Sequence, residues 1–188
     1  MNETTGKRIA FVVNARTGDE LQAGNRDSSR LWTLLTDPNL GRCEPIYPPL
    51  HNCENEFSFL KELKEILKKL NSSDQLLFYF SGHGIVKNQQ YCIKLGLDED
   101  SYYPFKNLIN QLRASGIERA IIIIDACHSG SAQGARLVNQ ARFALEEINA
   151  AYPGLNVLTS SQVDELSYED DSWGNGAFTK AILEAFAI

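Results

Sequence analysis

The chain has 188 residues, enough for one domain with a sizeable core, and its 43% hydrophobic and 22% charged residues are the balance of a globular protein, not a disordered one. A net charge of −6 argues against a nucleic-acid or anionic-membrane surface as the main partner. Four irregularly spaced cysteines (Cys43, Cys53, Cys92 and Cys127) argue against a disulfide framework and for a reducing, cytoplasmic setting.

The polar start Met1–Lys7 runs straight into Ile9–Val13, an apolar stretch too short for a signal peptide. Arg8–Val13 reads as a buried strand, and Asp27–Leu35 as a helix with Leu31, Leu34 and Leu35 on one face. Cys43–Tyr47 predicts a weaker strand closed by Pro48 and Pro49. Cys43, His51 and Cys53 are zinc-type donors, but they lack the second close pair that a zinc site needs. Phe57–Leu70 has helical spacing, Gln75–Ser81 is a second buried strand, and Pro104 opens a helix that ends at Gly116. Arg119–Ile124 is the most strand-like run in the chain. A helix over Leu137–Ile148, a strand over Leu155–Thr159 and a helix over Phe178–Phe186 complete the pattern, with no internal repeat.

Apolar strands alternating with helices predict an α/β fold with a mostly parallel sheet covered on both faces. Ligands of such sheets bind beyond the carboxyl ends of the strands. Two motifs stand there: Gly82-His83-Gly84 after Gln75–Ser81, and Asp125-Ala126-Cys127-His128-Ser129-Gly130 after Arg119–Ile124. Singly, the histidine reads as a loop residue and the cysteine as a small core hydrophobe. Together, at the ends of two strands, they form a candidate base and thiol nucleophile. The glycines beside His83 would let a substrate approach closely, and the backbone amides of Gly84 and Cys127 could hold an oxyanion. His128 follows Cys127 directly and so suits loop support better than catalysis. Gln133 excludes a phosphatase loop, which needs arginine there.

Ser81-Gly82-His83-Gly84, reached through Leu77-Phe78-Tyr79-Phe80, together with Asp125–Gly130, closely resembles the caspase-like cysteine peptidases, and within them the metacaspases and their prokaryotic relatives, the orthocaspases. Leu158–Asp164, with Glu165 and Ser167, and Gly176-Ala177-Phe178-Thr179 extend the resemblance over nearly the whole chain. Asp125, where caspases carry glutamine, favours the metacaspase side. Relatives open the first helix with Gly, two residues, then Asn-Asp-Ala; of this, only Asp27 is cleanly retained here. The resemblance implies a three-layer αβα sandwich with five or six strands, residues 1–188 forming one peptidase domain of a longer protein. A sixth strand and a regulatory domain or subunit would then lie outside this chain.

The implied chemistry is a Cys127–His83 dyad, with Cys127 attacking the scissile carbonyl and His83 as general acid–base. The resemblance also implies that Asp125 and Asp27, with Ser160 and Asp164, line the substrate site. Two convergent carboxylates call for a cation between them, so a protein or peptide substrate with Arg, then Lys, before the scissile bond is expected. The bland alternative is that both aspartates cap local structure. Val163 to Ile188 holds six acidic residues and the single basic Lys180, a charge pattern that would attract a cationic peptide. No cofactor is required. Calcium activation, known from eukaryotic relatives, would use Asp98, Glu99 and Asp100 or Glu169–Asp171. Arg136 and Arg142 are candidate self-cleavage positions. The rival readings are an idle caspase-like interaction module and a thiol hydrolase acting on a non-peptide amide.

Overall fold

The computed structural model describes residues 6–16, 24–88, 90–98, 100–128, 154–159 and 177–186. In chain order the elements are β1 (Arg8–Ala15), α1 (Gly24–Thr36), β2 (Leu50–Cys53), α2 (Glu56–Leu67), β3 (Gln75–Lys87), β4 (Gln90–Lys94), β5 (Tyr102–Pro104), α3 (Phe105–Ala114), β6 (Arg119–His128), β7 (Leu155–Thr159) and α4 (Ala177–Phe186). The predicted helix over Leu137–Ile148 lies outside the described residues.

The three strongest strands of the sequence are adjacent. β1 pairs parallel with β3 from Arg8↔Gln75 to Asn14↔Ser81. β6 pairs parallel with β3 from Gln75↔Arg119 to Gly84↔His128. β2 and β7 extend this parallel set on its two sides. The last part of β3 carries the antiparallel β4, and β5 follows it. The described sheet therefore has seven strands, five of them parallel. β4 and β5, which the sequence pattern does not predict, are short, and an antiparallel hairpin on a parallel sheet leaves little hydrophobic signal.

Two expectations need correction. The predicted strand over Cys43–Tyr47 is a single bridge, Ile9↔Glu44, after which Ile46 N–H turns back to the Glu44 carbonyl. Pro45 has no N–H to continue a ladder there. The real partner of β1 is Leu50–Cys53, a polar edge strand that hydropathy does not reveal. The second correction concerns Gly82–Gly84 and Asp125–His128, which continue β3 and β6 instead of turning. The glycines have a packing reason. A Cβ on Gly82 would lie 2.9 Å from the Phe80 ring and 3.0 Å from Ala15 Cβ. One on Gly84 would strike the Tyr91 hydroxyl at 2.4 Å.

Strand alternation sends side chains to two helical layers. Phe11, Leu76, Phe78, Phe80, Ile122 and Ile124 pack with α2 and α3. Ala10, Val12, Tyr79 and Ile123 pack with α1, and Phe178, Ile182 and Leu183 of α4 join that side. Phe59 is central to the first layer, with ring centroids 5.2 Å from Tyr103, 5.8 Å from Phe11 and 6.1 Å from Phe78. Phe59→Ala should cost about 3–5 kcal/mol, read as a lower urea midpoint. A loss below about 1 kcal/mol would contradict that packing.

Burial pushes the Cys43 and Cys53 thiols up to about 11 and the Tyr103 hydroxyl up to about 12. The folded state thus holds these protons more tightly than the unfolded chain does. Their stabilising share is complete below about pH 9 and is lost as pH rises toward 12. Melting temperature should hold level up to about pH 9 and fall above it. Tyr103→Phe should shallow the fall above about pH 10; an unchanged slope would exclude Tyr103 as a source.

Candidate active site

The extension of β3 and β6 decides where the chemistry-bearing residues stand. His83 is the register partner of Cys127, and Ser81 is the partner of Asp125. Strand alternation puts positions 79, 81 and 83 of β3 and 123, 125 and 127 of β6 on the face covered by α1 and α4. Paired positions lie about 5 Å apart between Cα atoms, so positions 83 and 127 are direct neighbours at the carboxyl end of the sheet. His83 is half-buried, with its Nδ1 enclosed by protein. Position 128 pairs with Gly84, one step out of phase with His83. Gly84 stands in the ladder between Ile93 and His128.

Two residues behind the dyad positions lies a buried polar knot. The Tyr79 hydroxyl donates to Asp125 Oδ2 at 3.2 Å, the Thr179 hydroxyl donates to the same oxygen at 3.1 Å, and the two hydroxyls are 2.9 Å apart. Tyr79 and Thr179 are fully buried, whereas Asp125 is half-buried. A carboxylate can only accept, so the hydroxyl protons of β3 and α4 are what anchor it. Burial first, and the Asp125 carboxylate second, push Tyr79 well above the ordinary tyrosine range. Thr179 pulls the other way through its hydrogen bond, and Asp27 adds a smaller upward push.

Asp27 sits in the first turn of α1 and is 2% exposed. Asp125 is not a loop cap but a strand residue tied to β3 and α4, whereas Asp27, in the first turn of α1, keeps the helix-end position that the sequence alternative gave it. Beside Asp27 the helix start is fitted to β1. A Cβ on Gly24 would lie 2.3 Å from Asn14 Oδ1, and buried Asn14 donates to Asn25 Oδ1 at 2.7 Å.

Tyr79 and Thr179 received no role from the sequence. Tyr79 could have been found by parity, because it lies four residues before His83 on the same strand and carries the polar atom of an apolar run. Thr179 belongs to a stretch singled out by resemblance, but only tertiary contact, across 54 residues from Asp125, discloses what it touches. Ser160, Asp164, Arg136, Arg142, Glu99 and Glu169–Asp171 lie outside the described residues.

Among the described residues no group of His, Cys, Asp and Glu side chains is arranged to hold a metal ion. His51 spends its ring nitrogens on Ser28 and Ser29, at 3.2 Å each, and Cys53 Sγ donates to the Asn55 carbonyl. Asp100 pairs with Lys87 at 3.1 Å. No helix among the described residues is long and apolar enough to cross a membrane.

A family model described as the caspase domain matches residues 7–188. Among solved structures, protein GSU0716 from Geobacter sulfurreducens superposes with a TM-score of 0.69 at 17% identity, over 96% of this chain and 82% of that one. The Drosophila initiator caspase Dronc matches with a TM-score of 0.47 at 9% identity, over 67% of this chain and 50% of that one. A search of curated protein sequences finds no match.

Proposed function

The chain belongs to the caspase-domain family, and from that premise we propose that it is a cysteine endopeptidase with a Cys127–His83 dyad that cleaves protein substrates after arginine, and less well after lysine. One observation carries the reading. Two neighbouring parallel strands run past their expected ends at Ser81 and Ile124 and hold His83 opposite Cys127, in the cleft region where such sheets bind ligands.

In this mechanism His83 takes the Cys127 thiol proton as the sulfur attacks the scissile carbonyl. As the C–N bond breaks, His83 gives that proton to the leaving amine. Water then attacks the thioester while His83 takes its proton; the C–S bond breaks, the carboxylic acid product leaves, and His83 returns the proton to the sulfur. Backbone N–H groups at Gly84 and Cys127 are the proposed oxyanion donors; Gly84 can serve only if its amide leaves the ladder around Ile93 and His128. Asp125 and Asp27 are proposed to receive the basic side chain, with Ser160 and Asp164 completing the substrate site. A reducing, cytoplasmic location suits a thiol nucleophile and the buried thiols of Cys43, Cys53 and Cys92.

The test is cleavage of matched reporter peptides ending in Arg, Lys or Asp, with Cys127→Ala as control and with calcium or a chelator present. Arg above Lys, with Asp uncleaved, is the expected order. Efficient cleavage after Asp would refute the basic specificity. Cleavage that survives in Cys127→Ala would refute the nucleophile.

A smaller effect follows from the knot around Asp125. Thr179→Val keeps the shape but removes one donor to Oδ2, so KM for an Arg reporter should rise about tenfold with little change in kcat, and Thr179→Ser should restore it. A fall in kcat alone would assign Thr179 a different role.

A further inference from the structure

The pairing that joins His83 to Cys127 continues across two further strands. His83 is the register partner of Lys94 on β4, and Lys94 is the partner of Tyr102 on β5. Residues directly opposite in antiparallel pairs share a face. The core assignments agree, because Tyr91, Ile93 and Tyr103 point into the α2/α3 layer and leave their alternates on the other face. Cys127, His83, Lys94 and Tyr102 are therefore four consecutive positions of one row, running across the sheet on the active-site face.

Lys94 is half-buried, and its Nζ stands 5.7 Å from the centroid of the Tyr102 ring. Lys87 approaches the same ring at 5.2 Å but is matched by Asp100. Lys94 forms no ion pair with a carboxylate among the described residues. Its ammonium is thus held in place by an aromatic face, which supplies attraction but not a neutralising charge.

The direction of the row gives that charge a use. Resting on the dyad reading above, the acyl carbon sits at Cys127 and the leaving nitrogen at His83. The peptide beyond the scissile bond then continues in the same direction, over β4 and β5. We propose that Lys94, backed by Tyr102, forms a subsite for an acidic side chain at the first or second residue after the cut. The preferred substrate is then a basic residue followed by aspartate or glutamate. The pairing with the acidic side of the cleft also orients the peptide, since a reversed chain would set like charges against each other at both ends.

The experiment uses internally quenched peptides with Arg before the scissile bond and Asp, Ala or Lys at each of the two following positions. The wild-type chain should cleave the Asp peptide about fivefold faster in kcat/KM than the Lys peptide at one of the two positions. Lys94→Gln should bring that ratio to about one, and Lys94→Glu should invert it. Lys68→Gln, on the far helical layer, should leave the ratio as in wild type. Thermal melts establish that each variant is folded. A flat wild-type ratio, or a ratio unchanged in Lys94→Glu, overturns the subsite while leaving the peptidase reading intact. Absence of any Cys127-dependent cleavage of all the peptides overturns both.

Discussion

Cys127→Ala should abolish cleavage of an Arg-ending peptide, and His83→Ala should lower kcat by about three to four orders of magnitude, when each is assayed beside the wild-type chain. The two effects come from one unit. A thiol near its ordinary pKa is mostly protonated at neutral pH, so without the base the nucleophile is scarce and the leaving amine has no proton donor. The double variant should therefore be no worse than Cys127→Ala alone, because residues acting as a unit are not additive. Cys127 is the penultimate residue of β6, so the melting temperature should change little in its variant, whereas His83 stands inside β3 between Cys127 and Lys94 and its variant should melt somewhat lower while still folding. A peptide electrophile with Arg before its warhead should label the wild-type chain at Cys127 and leave Cys43, Cys53 and Cys92 unmodified, since burial pushes the pKa of all three up. Near-wild-type turnover in either single variant would end the dyad assignment. Labelling spread over all the cysteines would show that Cys127 is not activated.

The second large effect is on specificity. Asp125→Asn should reduce kcat/KM for an Arg reporter by about a hundredfold, and Asp27→Asn by a smaller factor. Asn keeps the size of Asp125 and one acceptor oxygen for Tyr79 and Thr179, but removes the charge. The variant thus loses the attraction for a guanidinium while the group keeps its orientation. Asp27 is buried on α1, so the smaller loss expected there comes from the field of its charge. An aspartate before the scissile bond would add a third negative charge to a half-enclosed site, and its reporter should remain uncut by wild type. If Arg preference stays unchanged in both variants, these carboxylates do not form the specificity pocket.

The elements legible in the sequence are those with strong hydrophobic periodicity. Ala120–Ile124 is apolar at every step and packs on both faces of the sheet, and Leu155–Thr159 appears as a strand with the predicted ends. Elements with weak apolar content were missed or misplaced. β2 exposes His51 and Asn52, β4 and β5 are short, and the proline inside Cys43–Tyr47 prevented a ladder that its hydropathy allowed. The motif around His83 is visible, but its histidine reads as a loop residue. Local composition cannot show that β4 and β6 flank those residues and keep them extended.

The sequence by itself determined the candidate chemistry: a histidine and a cysteine beyond two apolar strands, two aspartates of one sign, and a resemblance covering most of the chain. Residue types and their spacing along one chain suffice for that, because chemical capacity and strand periodicity are local properties. Only the tertiary structure decided the register that sets His83 against Cys127, the meeting of Tyr79, Thr179 and Asp125 from three separate elements, and the row that carries Lys94 past the dyad. These depend on which strands pair and in what phase. A shift of one residue in either pairing would send the same side chains to the opposite helical layer.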